Sequence, residues 1–338
     1  MIKIFTQVYW PFLKNINSMS NKDIYRDFCE TESTIPIFSR DWWLDAVCEG
    51  PDHWDVSIVT KGGRVMAAMP YCVKHKYGFT ILTQPHLTQT LGPWLRPSEA
   101  KYAKGLSEQK NLLQSLIDQL PEFDYFVQNW NHANTNWLPF YWNGFKQTTY
   151  YTYIIPHLHD VDHLWSEMQA NIRTDIKKAQ SRFKLKVRDD LELDDFLRLN
   201  RLTFARQGIS QPYPDELVKR LDAACEKHHC RKFWIAEDPD GQHHAGIYTV
   251  WDEHSAYYIM GGGNPDLRNS GATSLCMWHA IQHAATVSKR FDFEGSMIEP
   301  IERYFRAFGA RQVPYFSIYK TSNVLLKAAS ALKTLIKG

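Results

Sequence analysis

Short apolar runs and alternating apolar and polar positions predict strands along most of the chain. WDVSIVT (54–60) and VMAAMPYCVK (65–74), joined by KGGR with Gly62 and Gly63 at the turn, predict a β-hairpin. GFTIL, FDYFVQ and FKQTTYYTYII predict three more strands, with a helix around Glu108–Gln119 between them. An earlier helix is expected in SRDWWLDAV, with Ser39 as its cap and an acid in its first turn.

The second half repeats this order. FWIAED, the turn PDGQ and HAGIYTVW predict a second hairpin. AYYIMGG follows as a strand, then a helix from about Asn269 to Val287, then FDFEG in the place of FDYFVQ. YFRAFGARQVPYFSIY matches FYWNGFKQTTYYTYI, with Phe308 falling on Phe145. The recurrence predicts an α/β (α+β) protein made of two copies of one unit, each a mixed, mainly antiparallel sheet flanked by helices. The expected boundaries are 1–150 and 151–320, with a tail at 321–338.

Between the halves, Trp165, Met168, Ile172, Ile176 and Ala179 recur at helical spacing and predict one apolar helix face. Arg173, Lys177 and Lys178 project from the rest of that helix, and Arg182, Lys184, Lys186 and Arg188 extend the run. Such a run is either a solvated face beside the acidic DDLELDD or an anion site, with Arg173 and Lys177 as candidate substrate contacts.

Three stretches carry candidate chemistry. In FDFEGS, Asp292 and Glu294 alternate with Phe291 and Phe293, so the acids either cap the next helix or face a substrate. In GGGNPDLRNSGATSL, Gly261, Gly262 and Gly263 free backbone for close approach, and Arg268, Gly271 and Ala272 open a helix whose N-terminus favours phosphate. The loop TQPHLTQTLGPWL (83–95), with Gln84 and Gln89, is polar and nearly uncharged, as in loops that line sites and in ordinary surface turns.

Composition narrows this picture. At 338 residues, two domains are the default. Twelve Trp, 17 Tyr and 18 Phe supply a large core and an aromatic-lined cleft. A net charge of +2 provides no whole-protein field for polyanions, so any such site must be local. The six cysteines form no CxxC pair and the opening MIKIFTQVYWPFL lacks a signal-peptide pattern, which predicts free thiols and a cytoplasmic setting. Cys225, His228, His229 and Cys230 match no metal-ligand spacing, and no metal is expected.

The order meander, Gly/Arg loop, helix, FDFEG resembles the GNAT acyltransferase fold, with Arg268 and Gly271 on the pyrophosphate-loop pattern and Thr273 departing from it. Two such units ending in YFRAFGA resemble the FemABX branch, the shorter FemAB-like acyltransferases above all. The resemblance covers roughly residues 39–320. It implies two tandem GNAT-like domains, the first a degenerate copy, and transfer of an acyl or aminoacyl group to an amine. The implied donor is acyl-CoA, with aminoacyl-tRNA on a peptidoglycan precursor as the alternative, and a non-catalytic ligand-binding module as a third reading. Phe305, Arg306, Phe308 and Gly309 resemble the family's Phe-Lys-x-x-Phe-Gly pattern, one residue shorter and with Arg for Lys, which makes Arg306 a substrate contact. Acyl transfer to an amine then points to Asp292 and Glu294 as bases and to Tyr257 or Tyr258 as the acid. The acceptor is expected to be a small or lipid-linked amine. The tail, with Leu325, Leu326, Ala329, Leu332 and Ile336 beside Lys327, Lys333 and Lys337, either docks on the protein or touches an anionic membrane surface from the cytoplasmic side.

Overall fold

The computed structural model describes residues 19–48 and 50–327. Most of the expected amphipathic tail lies outside that range. The first half runs α1 (Asn21–Thr31), α2 (Asp41–Val47), β1 (Trp54–Lys61), β2 (Arg64–Lys76), β3 (Phe79–Thr83), β4 (Trp94–Leu95), α3 (Tyr102–Asp118), β5 (Tyr125–Asn129), α4 (Leu138–Trp142) and β6 (Lys146–Ile155). The second runs α5 (Val161–Glu167), α6 (Ala170–Ser181), β7 (Lys186–Arg188), α7 (Leu193–Arg206), α8 (Asp215–Lys227), β8 (Arg231–Glu237), β9 (His243–Trp251), β10 (Ser255–Gly263), α9 (Ala272–Val287), β11 (Arg290–Asp292), α10 (Glu299–Arg306) and β12 (Arg311–Thr321).

The described strands form one 12-stranded sheet in the order β1-β2-β3-β5-β12-β6-β11-β10-β9-β8-β7, with β4 on β2. Each half supplies an antiparallel meander (β1-β2-β3, β8-β9-β10) followed by one parallel neighbour, β5 on β3 and β11 on β10. The two tandem GNAT-like units expected from the repeats are therefore present, and their final strands are exchanged. β12, which ends the second half, pairs with β5 of the first, and β6, which ends the first, pairs with β11 of the second. β6 and β12 meet antiparallel over Lys146–Ile154 and Arg311–Tyr319, closing the sheet at its centre.

Local departures from the expected elements have identifiable causes. Ser39 does not cap α2. It ends a 3₁₀ turn at Ile37–Ser39, Arg40 takes the cap position, and the Tyr25 hydroxyl donates to the Ser39 carbonyl at 2.6 Å. The basic helix is two helices, broken where Met168 is extended and the Gln169 amide donates to the Ala307 carbonyl at 2.9 Å. Ile172, Ile176 and Ala179 still form the buried face of α6. The helix expected from Asn269 starts at Ala272, after a 3₁₀ turn at Pro265–Ser270. All six cysteines are buried free thiols. Among the described residues no helix is long and apolar enough to cross a membrane.

Candidate active site

β10 and β11 run parallel only from Ser255↔Arg290 to Tyr257↔Asp292. Past that point β11 ends, and β10 bulges so that Ile259 drops out of the ladder between Tyr258↔Thr249 and Met260↔Tyr248. The strands part, and the gap is a cleft of 410 Å³ walled by Gln89, Tyr258, Ile259, Phe293, Glu294 and Phe305. Met297 and Ile298 stand exposed on the approach to α10.

Two carboxyl groups meet at the closed end of this split. Asp292 is 7% exposed. Its Oδ1 accepts from the Thr152 hydroxyl and from the Glu294 amide at 2.9 Å. Burial pushes its carboxyl up to about 6, outweighing those two hydrogen bonds and the Arg290 charge, which favour ionisation. The expected alternation stops here: Phe291 and Phe293 go into the core, but Glu294 sits at φ +64°. A side-chain-bearing residue pays roughly 1–2 kcal/mol in that region. The turn carries Glu294 off the strand face and into the cleft wall. Its carboxyl makes no hydrogen bond or ion pair among the described residues, while its backbone amide and carbonyl are both bonded. Burial first, and the Asp292 charge second, hold the Glu294 carboxyl well above its usual range. The Gln89 amide donates to the Glu294 carbonyl and, at 3.4 Å, to the Tyr315 hydroxyl, pinning the 83–95 loop over the acids. Burial, helped by Tyr213, pushes the Tyr258 phenol up to about 12, so it remains a proton donor at neutral pH.

Asp292, Glu294, Tyr258 and Gln89 are thus brought together, and the remaining candidates are not. The three glycines are taken up by protein rather than by a ligand: Asn200 Nδ2 donates to the Gly261 carbonyl at 2.8 Å, Thr203 Oγ1 accepts from the Gly263 amide at 3.0 Å, and the Tyr258 hydroxyl fills the space where a Cβ on Gly261 would lie. A Cβ on Gly262 would lie 2.4 Å from the Asn200 backbone nitrogen. The expected phosphate grip is likewise filled by protein. Gly271 has φ +80°, and a Cβ there would lie 2.2 Å from the Asp175 carbonyl oxygen of α6. Ala272 is buried beneath that contact, and Arg268 is exposed on the preceding turn. Gly271→Ala is expected to lower stability by about 2–5 kcal/mol, combining left-handed strain with overpacking, as read from a shifted urea midpoint at constant slope.

Arg306 is exposed and pairs with Glu302 at 2.7 Å within its own helix. Arg173 donates to the Ser166 carbonyl at 2.8 Å and to the Met168 carbonyl, satisfying the end of α5. Lys177 is solvent-exposed on α6. Gln84 braces its own loop, donating to the Thr88 carbonyl at 2.8 Å and accepting from the Asn129 amide at 2.6 Å. Thr152 and Tyr315 were not singled out by sequence. Both lie on the exchanged strands, and their only signal was a polar group within an aromatic-rich run.

Residues 166–306 match the family described as "Acetyltransferase (GNAT) domain". No curated protein matches the chain. Among solved structures it is similar to FemX, at TM-score 0.65 and 11% identity over 88% of this chain and 96% of that one. It is also similar to the C-terminal DUF2156 domain of a putative lysylphosphatidylglycerol synthetase from Agrobacterium fabrum, at TM-score 0.55 and 10% identity over 94% and 97% of the two chains. A third similar structure is L-PGS from Bacillus licheniformis, at TM-score 0.50 and 9% identity over 87% and 92%. The chain thus carries a match to a GNAT-type acetyltransferase domain in its second half and shares the fold of FemX across its length.

Proposed function

We propose that the protein transfers an acyl or aminoacyl group from an activated donor to an amine, with the reacting carbonyl held in the split between β10 and β11. The observation that carries this reading is the unpartnered, raised Glu294 carboxyl facing a cleft opposite a neutral phenol. An attacking amine must lose a proton, and a carboxylate made more basic by burial and by Asp292 suits that task better than an ordinary one. In the step proposed, the amine nitrogen bonds to the donor carbonyl carbon and its proton passes to Glu294. The bond from that carbon to the leaving thiol or ribose oxygen breaks, and Tyr258 protonates the leaving atom. Ile259, out of the ladder at the bulge, offers its backbone amide to the developing oxyanion. Asp292 acts through Glu294 as a positioning residue.

The donor proposed is an acyl-CoA thioester. A second reading, aminoacyl-tRNA, is favoured by one observation: α6 covers the start of α9, where a pyrophosphate would otherwise sit, while Lys177, Arg182, Lys184 and Lys186 stay exposed nearby in sequence. Thiol release from acetyl-CoA in the presence of an amine panel tests the first donor, and salt-sensitive loss of aminoacyl ester from charged tRNA tests the second. With whichever donor turns over, Glu294→Gln should lower kcat by about 10²-fold or more without lowering the melting temperature. A variant as fast as the wild type would remove Glu294 from the mechanism. An acceptor built on a lipid, and peripheral contact with the membrane, remain parts of this proposal that vesicle sedimentation of the full chain tests.

A further inference from the structure

A second pocket, of 200 Å³, lies between the start of β10 and β11 and the 91–95 segment, walled by Gly92, Asn131, Asn134, Asp252, Tyr257 and Arg290. Nothing in the acyl-transfer reading uses it. Arg290 is half-buried there; its Nε donates to the Ser255 hydroxyl and its Nη1 lies 3.4 Å from His132 Nε2. It makes no ion pair among the described residues.

Asp252 and Asp292 place negative charge nearby, and Arg290 in turn favours the ionised Asp292, but neither carboxylate forms a direct ion pair with its guanidinium. His132 is pushed down to about 4 by burial and by Arg290 itself, so its ring is neutral at pH 7. Asp252 borders the pocket, but its carboxylate accepts the backbone amides of Ile37 at 3.1 Å and of His254 and Ser255 at 2.8 Å. Asp292, two residues along the same strand, is engaged by Thr152 and the Glu294 amide. A half-buried guanidinium without an ion-pair partner is costly unless something else completes it.

We propose that this pocket binds a small ligand through a single carboxylate held by Arg290. A guanidinium with a planar fork of donors and no direct ion-pair partner among the described residues matches one carboxylate. Cavities of about 150 Å³ accept benzene, so this one takes a ligand of roughly six to ten non-hydrogen atoms, and not a nucleotide. Asn131 places an amide beside the same opening, where it can hydrogen-bond the second polar group of such a ligand.

Binding can be measured without turnover, so failure of the acyl-transfer reading and failure of this one are distinguishable. Calorimetric titration of the full chain with benzoate and lactate at fixed ionic strength should give saturable binding. Their neutral amides, benzamide and lactamide, should bind at least tenfold more weakly. Arg290→Met should lose at least tenfold in affinity, and Arg290→Lys, which keeps the charge, should lose less. Absence of saturable carboxylate binding, equal affinity for the amides, or wild-type affinity in R290M would overturn the proposal. Inorganic phosphate binding more tightly than either carboxylate in an Arg290-dependent manner would overturn the assigned ligand class. The amide comparison on the wild-type chain decides the matter even if R290M does not fold.

Discussion

A chain ending at Ala310 should be unfolded in both halves, and not in the second alone. β12 lies between β5 and β6 and is hydrogen-bonded to each. It also carries Ile318, fully buried in the core cluster that Leu82, Leu113, Leu116, Phe126 and Phe140 form in the first half. Removing it opens two unpaired edges at the centre of the sheet and a hole in a core whose residues Leu82 to Phe140 lie 178 or more positions before Ile318 in sequence. The combined loss exceeds the roughly 5–15 kcal/mol of net stability that a folded domain holds. Far-UV circular dichroism and analytical ultracentrifugation should show loss of native structure with aggregation. A chain ending at Asn323, which keeps β12 and the 2.7 Å bond from Asn323 Nδ2 to Asp124, should melt as the full chain does. A soluble first half with native-like unfolding after truncation at Ala310 would contradict the strand exchange.

The second large effect is expected from Asp292→Asn, and it has opposite signs in stability and in function. The Asn oxygen can still accept from Thr152 and from the Glu294 amide, so both hydrogen bonds remain while the buried charge is removed. The native Asp292 carboxyl titrates near about 6 against an ordinary 3.8, so between those values the folded state binds more protons than the unfolded one. Stability therefore falls as pH rises through that window, and the whole cost is present above about 6. Two pKa units correspond to about 3 kcal/mol. D292N should accordingly be more stable than the wild type by about 2–3 kcal/mol at pH 8 and equal to it near pH 3.5, as read from urea midpoints at the two pH values. In function, loss of the Asp292 charge removes one of the two influences that raise Glu294. The variant should turn over about tenfold more slowly at neutral pH, with the acid limb of its rate profile displaced to lower pH.

Much of the architecture could be read from the chain because strands and helices announce themselves by period. WDVSIVT and FWIAED, or FDYFVQ and FDFEG, repeat in matching order, and the sheet order confirms the correspondence. Period two shows that a strand exists and which face is apolar, but it does not name the partner. YFSIYK and TTYYTYII suit one another's neighbours equally well, which is why the exchange of β6 and β12 was invisible. The glycines show a similar ambiguity. A glycine before a helix admits either a phosphate or another backbone, and Gly271 turned out to admit Asp175. Arg306 and Arg173 were charged residues in suggestive frames whose partners, Glu302 and the carbonyls ending α5, came from helix geometry. The acids of FDFEGS were legible as two carboxyls on one short strand. Their separation into a buried partner and a cleft-facing carboxyl depends on the left-handed turn at Glu294, which no spacing rule for strands anticipates.

The claim that proton transfer runs through the Asp292–Glu294 pair is tested most directly by kcat/KM against pH for the wild type, D292N and E294Q with one turning-over donor and amine. The pair predicts that the wild-type rate rises with pH through an inflection well above the usual carboxylate range, that D292N moves that inflection to lower pH, and that E294Q abolishes it. An inflection that stays in place in all three proteins would contradict the account.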